Sequence, residues 1–228
     1  MDICAKFSTH ESNEVKLIMK NEDGIVTNKT ISFFNFKEAI NECSNDYNYL
    51  RINLLPNCFY NGYFVAQKPL TGRLALFVPG QLQRMAYENG KDSGLVPYPS
   101  LMFFFTVKEG KIDKSTVFAV KESKLQDIND ETPLYNYPYG NVSPFSGRIC
   151  WGSNSLPKIK SFRELDTHVT LFINSPTNND LFQPLSSVSK DITLISLIKK
   201  QMKRKTFDNG LLVSARKSIA DFLLEKID

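Results

Sequence analysis

Three short apolar segments in the middle of the chain constrain its fold more than any other feature of the sequence. They are GRLALFVP (residues 72–79), LMFFFTV (101–107) and TVFAV (116–120), and turn-forming residues bound each of them. Segments of this length and composition are typical of β-strands, and their order predicts an antiparallel meander. The middle segment is too apolar for a strand with one face in water, so we expect it to be central. The connection before it, which contains ENGKDSG, is predicted to be a polar loop.

Two further elements are predicted upstream of the meander. Apolar residues alternate in segments 15–19 and 25–34, and the connection NEDG (21–24) carries the Asp-Gly pair that is typical of a β-hairpin. The next segment, NFKEAINEC (35–43), has capping residues at helical spacing and predicts a helix with Cys43 on its apolar face. The chain therefore begins with a hairpin followed by a helix.

Downstream of residue 160 the apolar residues recur at helical intervals. SFRELDTHVTLFIN (161–174) has Ser161 and Glu164 in capping-box spacing, although its THVT stretch would also suit a strand. Two more amphipathic helices are predicted after it. Their apolar faces consist of Val188, Ile192, Ile195, Ile198 and Met202 in the first, and Ala215, Ile219, Phe222, Leu223 and Ile227 in the second. The order of elements predicts an α+β fold in which the helices are segregated from the sheet.

Composition and charge exclude several classes of protein. The 228 residues are 42% hydrophobic, which is enough for a globular core. We expect a soluble cytoplasmic protein without a membrane partner, because the chain has no long apolar run and no secretory signal pattern. The net charge of +4 is too small to indicate nucleic-acid binding. Four scattered cysteines and two histidines predict no metal site, no other cofactor and no disulfide framework.

The segment 132–157, TPLYNYPYGNVSPFSGRICWGSNSLP, consists mainly of turn-forming residues. About 25 residues without regular structure inside a compact domain usually form a functional loop. The segment holds Cys150 next to Trp151, the only tryptophan, in polar surroundings that do not suit a core cysteine. From the residues alone, Cys150 is either a small side chain packed beside Trp151 or an accessible nucleophile.

The loop also resembles that of a known family. NVSPFSGRICWG is similar to the active-site loop of ubiquitin-conjugating enzymes, where an Asn precedes a Gly-x-Ile-Cys sequence, and the pattern falls on Asn141 and Cys150. SPTNNDLF, after the following helix, resembles the Pro-Asn-Asp-rich stretch of the eukaryotic enzymes. The similarity is greater to the prokaryotic ubiquitin-conjugating-enzyme-like family D, which includes the B protein of PRTRC systems. LLPNCFYNG, GRLALFVP, VPYPSLMFF and GRICWG occur here in that family's order.

The resemblance implies a fold, an activity and a set of partners. It implies a ubiquitin-conjugating-like core at residues 49–185, preceded by the hairpin and helix (1–48) and followed by C-terminal helices packed on the core (186–228). It further implies that Cys150 accepts a ubiquitin-like modifier as a thioester from a ThiF-like activating enzyme and passes it to an amine. Asn141 would donate a hydrogen bond to the oxyanion formed in that transfer. A JAB-type isopeptidase is the remaining partner that the resemblance implies.

Two alternatives remain open from the sequence. The chain departs from the family pattern, since Tyr-Gly-Asn (139–141) replaces His-Pro-Asn and Trp-Gly (151–152) replaces Leu-Asp. A non-catalytic interaction module that kept the fold is therefore the first alternative. The second is a cysteine hydrolase, which would need His168 close to Cys150, although His168 is expected at the surface or boundary of its helix.

A run of cations, KKQMKRK (199–205), follows the first C-terminal helix and is called the basic segment below. It is either a solvated helix end, where cations also suit the helix dipole, or a surface for a partner. Nucleic acid is the less favoured partner, because no interleaved aromatic residues or recognition motif accompany the cations.

Overall fold

The computed structural model describes residues 2–7, 14–21, 23–36, 49–52, 59–65, 70–88 and 92–223, and all structural statements concern these residues. They contain twelve strands: β1 (Asp2–Phe7), β2 (Glu14–Lys20), β3 (Val26–Ser32), β4 (Tyr49–Ile52), β5 (Phe59–Val65), β6 (Gly72–Val78), β7 (Leu82–Tyr87), β8 (Asp92–Pro97), β9 (Ser100–Lys108), β10 (Lys111–Val120), β11 (Pro133–Tyr135) and β12 (Ser214–Ser218). The helices are α1 (Leu165–Asn174), α2 (Leu194–Gln201) and α3 (Ile219–Leu223). Short 3-10 turns lie at Leu125–Asp127, Phe162–Glu164 and Asn209–Leu211.

The main sheet has seven strands in the order β12-β11-β10-β9-β6-β5-β4. The predicted meander is confirmed, because β6, β9 and β10 are antiparallel neighbours and β9 is the central one of the three. Every residue of β9 except Lys108 is buried. Both faces of this strand are covered: Phe103 contacts Phe172 of α1, whereas Phe104 stacks on Phe222 of α3. An apolar run without alternation is what burial on both faces requires.

The predicted polar loop before β9 is wrong, because β7 and β8 pair there as an antiparallel hairpin. Met85, Tyr87 and Val96 of this hairpin are buried in the core below α1 and α2. The period-two alternation of a strand is present in LQRMAY, with Met85 and Tyr87 on one face. The polar ENGKDSG sequence between the strands obscures this alternation when the segment is considered as a whole.

The N-terminal prediction is confirmed in part. β2 pairs with β3 as an antiparallel hairpin, and Gly24 adopts a φ of +81° in the turn, a conformation that suits glycine. β1 adds to the other edge of β2, so the extension is a three-stranded sheet and not a lone hairpin. Residues 33–36 are helical, but the remainder of the predicted helix, with Cys43, lies outside the described residues, as does Cys58.

The helix predicted at 161–174 is confirmed as a 3-10 turn that continues into α1. The capping differs from the predicted box. Ser161 Oγ accepts from the Arg163 N–H at 3.3 Å, and the Glu164 carboxylate accepts from the Lys160 N–H at 3.0 Å. The THVT stretch (167–170) is helical because Leu165, Val169 and Phe172 of α1, spaced at helical intervals, are buried together against the sheet.

The C-terminal prediction is confirmed in part for both helices: α2 begins only at Leu194, and α3 contains Ile219, Phe222 and Leu223 of the second predicted face. In α2 the buried apolar residues are Leu194, Leu197 and Ile198, while Ile195 is only partly buried, so the helix docks through a face rotated from the predicted one. Ala215 lies in β12, which pairs with β11 at the edge of the main sheet. Residues 214–218 form a strand and not a helix because the edge of β11 offers backbone groups for hydrogen bonding. Within the described residues no helix has the length and apolar character needed to cross a bilayer.

Candidate active site around Cys150

The segment that leads to Cys150 is held by a cluster of three tyrosines. The ring centroid of Tyr139 lies 5.2 Å from that of Tyr98 and 5.8 Å from that of Tyr137. The Tyr139 hydroxyl donates to the carbonyl oxygen of Pro97 at 2.7 Å. Burial raises the pKa of all three phenols, so they stay neutral at physiological pH. These tyrosines pack the irregular loop against β8 and the core, as apolar bodies with a bonded polar tip do.

Residues 142–149 form a short hairpin that places Cys150 at its end. Val142 and Ile149 form an antiparallel bridge, and the Ser143 N–H donates to the Arg148 carbonyl at 3.0 Å. Two backbone hydrogen bonds join the hairpin to β10. The Val117 N–H donates to the Gly147 carbonyl at 2.9 Å, and the Ile149 N–H donates to the Ser115 carbonyl at 3.0 Å. The residues before Cys150 are therefore part of the sheet's hydrogen-bonding network and do not form a free loop.

Gly147 is the position at which this hairpin tolerates least change. Its φ is +69°, and a Cβ there would overlap the ring of Phe118. We expect Gly147→Ala to lower the free energy of unfolding by about 3 kcal/mol, the sum of a left-handed backbone and an overpacked ring. Gly152→Ala is the matched control, because Gly152 has a φ of +60° and nothing within 4 Å of a Cβ. It should cost only the backbone part, about 1 kcal/mol. Equal losses for the two variants in urea denaturation would show that Phe118 does not constrain the hairpin.

Cys150 and Asn141 lie side by side. The Cys150 N–H donates to the Asn141 carbonyl at 2.8 Å, and the Cys150 side chain is exposed. Asn141 has a left-handed φ of +67°, which Asn adopts more readily than most residues. Its N–H donates to the Asp180 carbonyl at 3.0 Å, and its side-chain amide donates to the Pro176 carbonyl at 2.8 Å. The segment after α1 thus fixes Asn141, and Asn141 fixes the backbone of Cys150.

Trp151 holds the other side of Cys150. Its indole N–H donates to the Ser115 hydroxyl on β10 at 2.7 Å, and its ring meets Phe172 of α1 edge-on, with centroids 6.1 Å apart. Trp151 is partly buried by these contacts, whereas Cys150 is exposed. The exposure of the thiol differs from the burial expected of a small side chain packed beside Trp151.

A cleft of about 210 Å³ opens beside the thiol. Its lining includes Cys150, Asn141, Trp151, Asn178 and Asp180. Among the described residues that line it, Asp180 supplies the one carboxylate, and the Asn178 amide donates to that carboxylate at 3.2 Å. Asn178 and Asp180 were missed as site residues by the sequence analysis, although the SPTNNDLF stretch that contains them was among the segments that resembled the family.

His168 does not lie at this site. It is 2% exposed, its Nδ1 is 3.2 Å from the Glu164 carbonyl oxygen, and its ring meets Phe105 edge-on. The expectation of a position at the surface or boundary of the helix is wrong, because the α1 face that carries His168 is the one turned toward the sheet. The described residues that line the cleft include no histidine, and His10 lies outside the described residues. Within the described residues, the hydrolase alternative therefore lacks the histidine that it requires beside Cys150.

The sequence model of prokaryotic E2 family D matches residues 40–215. This chain belongs to prokaryotic E2 family D. The matched range contains the main sheet through β11, the cleft, and both Cys150 and Asn141. The predicted resemblance to the prokaryotic ubiquitin-conjugating-enzyme-like family D is therefore confirmed. Family membership places the chain among relatives of ubiquitin-conjugating enzymes. No curated protein and no solved structure matches it.

Proposed function

We propose that this family D protein is a thioester carrier in a ubiquitin-like conjugation reaction. Cys150 accepts the carboxyl terminus of a ubiquitin-like modifier from a ThiF-like activating enzyme and passes it to an amine. The observation that carries the proposal is an exposed thiol at the mouth of a cleft, with Asn141 bonded to the same backbone, in a chain of an E2-like family. A JAB-type isopeptidase would reverse the product by hydrolysis.

The loading step needs little besides an accessible sulfur. The Cys150 thiolate attacks the thioester carbonyl carbon on the activating enzyme, and a tetrahedral oxyanion forms. The attack forms the new carbon–sulfur bond, and collapse of the oxyanion re-forms the carbonyl and breaks the bond to the activating enzyme's sulfur. That sulfur leaves as a thiolate and takes up the proton that the Cys150 thiol lost. Because the donor is itself a protein, the acceptor thiol has to be exposed, as Cys150 is.

The discharge step places charge next to Asn141. The nitrogen of the acceptor amine attacks the carbonyl carbon of the Cys150 thioester, and negative charge develops on the carbonyl oxygen. Collapse of this intermediate forms the amide, breaks the carbon–sulfur bond and releases the Cys150 thiolate. A side-chain amide has two N–H groups, so Asn141 retains one donor when the other is bonded to Pro176. A hydrogen bond to such an oxyanion stabilises the transition state by about 2.7–4 kcal/mol. The Asp180 carboxylate in the same cleft is suited to orient the incoming ammonium group and to accept its proton.

The alternative function is an interaction module without transfer activity. The observation in its favour is the bond from the Asn141 amide to Pro176, because a side chain that bonds the backbone in this way also serves as a purely structural residue. In this alternative the exposed thiol has no chemical role.

A loading assay separates the two functions. The protein is incubated with ATP and with the activating enzyme and small ubiquitin-like protein encoded nearest to it, and is then separated on a non-reducing gel. A thioester carrier forms an adduct one modifier heavier, which disappears after treatment with dithiothreitol. An interaction module co-purifies with the same proteins but forms no covalent adduct at any time point, and that result would refute the proposal.

The basic segment gives a prediction about the rate of partner binding. Residues 203–205 are exposed, and Arg204 is 3.5 Å from Asp208, a half-exposed pair of little energetic weight. Cations of this kind accelerate encounter with an acidic partner at low salt. Reversing all three to Glu should slow association with the activating enzyme about 10-fold or more at low ionic strength. The difference should shrink as salt is raised.

Surface plasmon resonance at several salt concentrations measures this effect. The matched control reverses Lys16, Lys20 and Lys29, three exposed cations of the N-terminal sheet, and carries the same net charge. Its association rate should stay much closer to that of the wild type. If the two triple variants associate equally slowly, only net charge matters, and the basic segment is a solvated helix end.

A further inference from the structure

A second cavity lies on the face of the main sheet opposite α1. Its volume is about 550 Å³, within the range of small-molecule sites. Arg73 of β6, Phe104 and Thr106 of β9 form buried parts of its lining, and Phe222 of α3 forms one wall. Phe104 and Phe222 stack with centroids 4.7 Å apart, which places the cavity on the α3 side of the sheet. It shares no lining residue with the Cys150 cleft.

The cavity is strongly cationic. Lys114, Arg148 and Lys217 are exposed side chains that line it, and Arg73, which is 5% exposed, lies in its floor and donates to the Phe222 carbonyl at 3.0 Å. Among the described lining residues, the one acid is Asp113. Its carboxylate is 3.6 Å from the ammonium group of Lys108, which is not in the lining. Three exposed cations therefore line a space in which the one described carboxylate is paired with Lys108.

Hydroxyl groups accompany the cations. Thr106, Thr116 and Ser146 line the cavity, and the Thr116 Oγ1 atom is buried without a hydrogen-bond partner in the described part of the chain. A buried hydroxyl normally has a partner, so this atom is suited to bond a ligand. Guanidinium, ammonium and hydroxyl donors around one space are the groups that bind phosphate oxygens.

We propose that this cavity binds a small organic phosphate of about the size of a nucleotide. The phosphate oxygens are held by Lys114, Arg148 and Lys217 and by the Thr116 hydroxyl, and the organic part lies against the Phe104 and Phe222 walls. The volume is larger than a single phosphate needs, which favours a ligand with an organic part over a free inorganic ion. The ligand itself takes no part in the thioester chemistry.

The position of the cavity gives a convenient signal for binding. Arg148 forms a backbone bridge with Thr116, and Ser115, between two lining residues of β10, accepts the bond from the Trp151 indole. A ligand that contacts Lys114, Thr116 and Arg148 changes the surroundings of the only tryptophan in the chain. Fluorescence of Trp151 therefore complements calorimetry.

The experiment titrates the full chain with ADP as the phosphate probe and with adenosine as the uncharged counterpart, by calorimetry and by Trp151 fluorescence. We expect saturable binding of ADP and none of adenosine. Lys114→Glu combined with Lys217→Glu should weaken ADP binding by about 10-fold or more, since two charge-assisted contacts are lost. Lys16→Glu combined with Lys29→Glu, with the same net charge on the N-terminal sheet, should leave the affinity within about twofold.

Three outcomes would overturn the proposal. The first is the absence of saturable ADP binding to the wild-type chain. The second is equal weakening in the two double variants, which would mean that only net charge matters. The third is binding of a glutamate-rich peptide without binding of ADP, which would make the cavity a docking site for an acidic protein segment. A folded state with the wild-type melting temperature in both double variants ensures that lost binding reports the cavity.

Discussion

Replacing Cys150 with Ala is expected to abolish the modifier adduct completely. In the proposed function the thioester forms on the Cys150 sulfur, and no other described residue that lines the cleft carries a thiol. The side chain is exposed, and Ile149 and Trp151 beside it carry the packing, so removal of the sulfur should leave the fold intact. Loading with ATP, activating enzyme and modifier, followed by a non-reducing gel, measures the effect.

Cys4 provides the matched control for this variant. It is the other exposed thiol of the described residues, and it lies in β1 of the N-terminal sheet, far along the chain from the cleft. Cys4→Ala should load at the wild-type rate. Cys150→Ser should give an adduct that survives dithiothreitol but is cleaved by hydroxide, because an oxygen ester replaces the thioester. An adduct that persists in Cys150→Ala and vanishes in Cys4→Ala would show that the modifier is attached to Cys4, and would contradict the role of Cys150.

Replacing Asn141 with Ala is expected to leave loading intact and to slow discharge to free lysine about 10²-fold, the lower end for loss of one oxyanion donor. The reason is that Asn141 and Cys150 line the same cleft. In the proposed function, charge develops there only as the amine attacks the thioester. Single-turnover discharge of a preloaded protein measures this rate separately from loading.

Asn141 also has a structural role that a control has to separate. Its φ is +67°, and its side-chain amide donates a hydrogen bond to the Pro176 carbonyl. Asn141→Ala therefore removes this hydrogen bond and also strains the left-handed backbone. Asn141→Gly removes the amide but accepts the left-handed backbone without strain. If discharge depends on the amide, both variants should be slow. Wild-type discharge by Asn141→Gly, alongside slow discharge by Asn141→Ala, would show that Asn141 acts only through the conformation of the loop.

The sequence predicted the centre of the fold well because burial on both faces leaves a simple pattern. A strand such as β9, with apolar residues at consecutive positions, is buried on both faces only when it lies at the centre of a covered sheet. The β7–β8 hairpin was missed although its inward residues alternate, because its turn is polar and Gly-containing and dominates the composition of the segment. Short alternating strands carry less apolar signal than central ones.

β12 was missed for a different reason. SARKS has little strand propensity, and Ala215 and Ile219 stand at helical spacing. The residues are extended because β11, itself inside the predicted irregular loop, presents an edge for them to pair with. Pairing of segments about 80 residues apart is a tertiary effect that local pattern does not contain.

Some residues of the candidate site could also be predicted from local sequence, whereas others depend on tertiary structure. Cys150 and Asn141 were suggested by adjacent residues of one loop, so a short motif was enough to single them out. The roles of Asp180 and Pro176 depend on how the chain returns after α1 to bond Asn141, which no local pattern specifies. His168 was misplaced because a histidine on an amphipathic helix is usually at its boundary, and only the docking of α1 against Phe105 buries it.

Mass spectrometry of the loaded protein tests the central claim most directly. The adduct formed with ATP, activating enzyme and modifier is digested with pepsin at acid pH, where a thioester survives, and the modified peptide is sequenced. The carrier function predicts a peptide in which the Cys150 sulfur is acylated by the carboxyl terminus of the modifier. Hydroxylamine should cleave this thioester and release the unmodified Cys150 peptide. A modifier found on Cys4 or on a lysine, or a Cys150 peptide that stays unmodified while the activating enzyme is loaded, would contradict it.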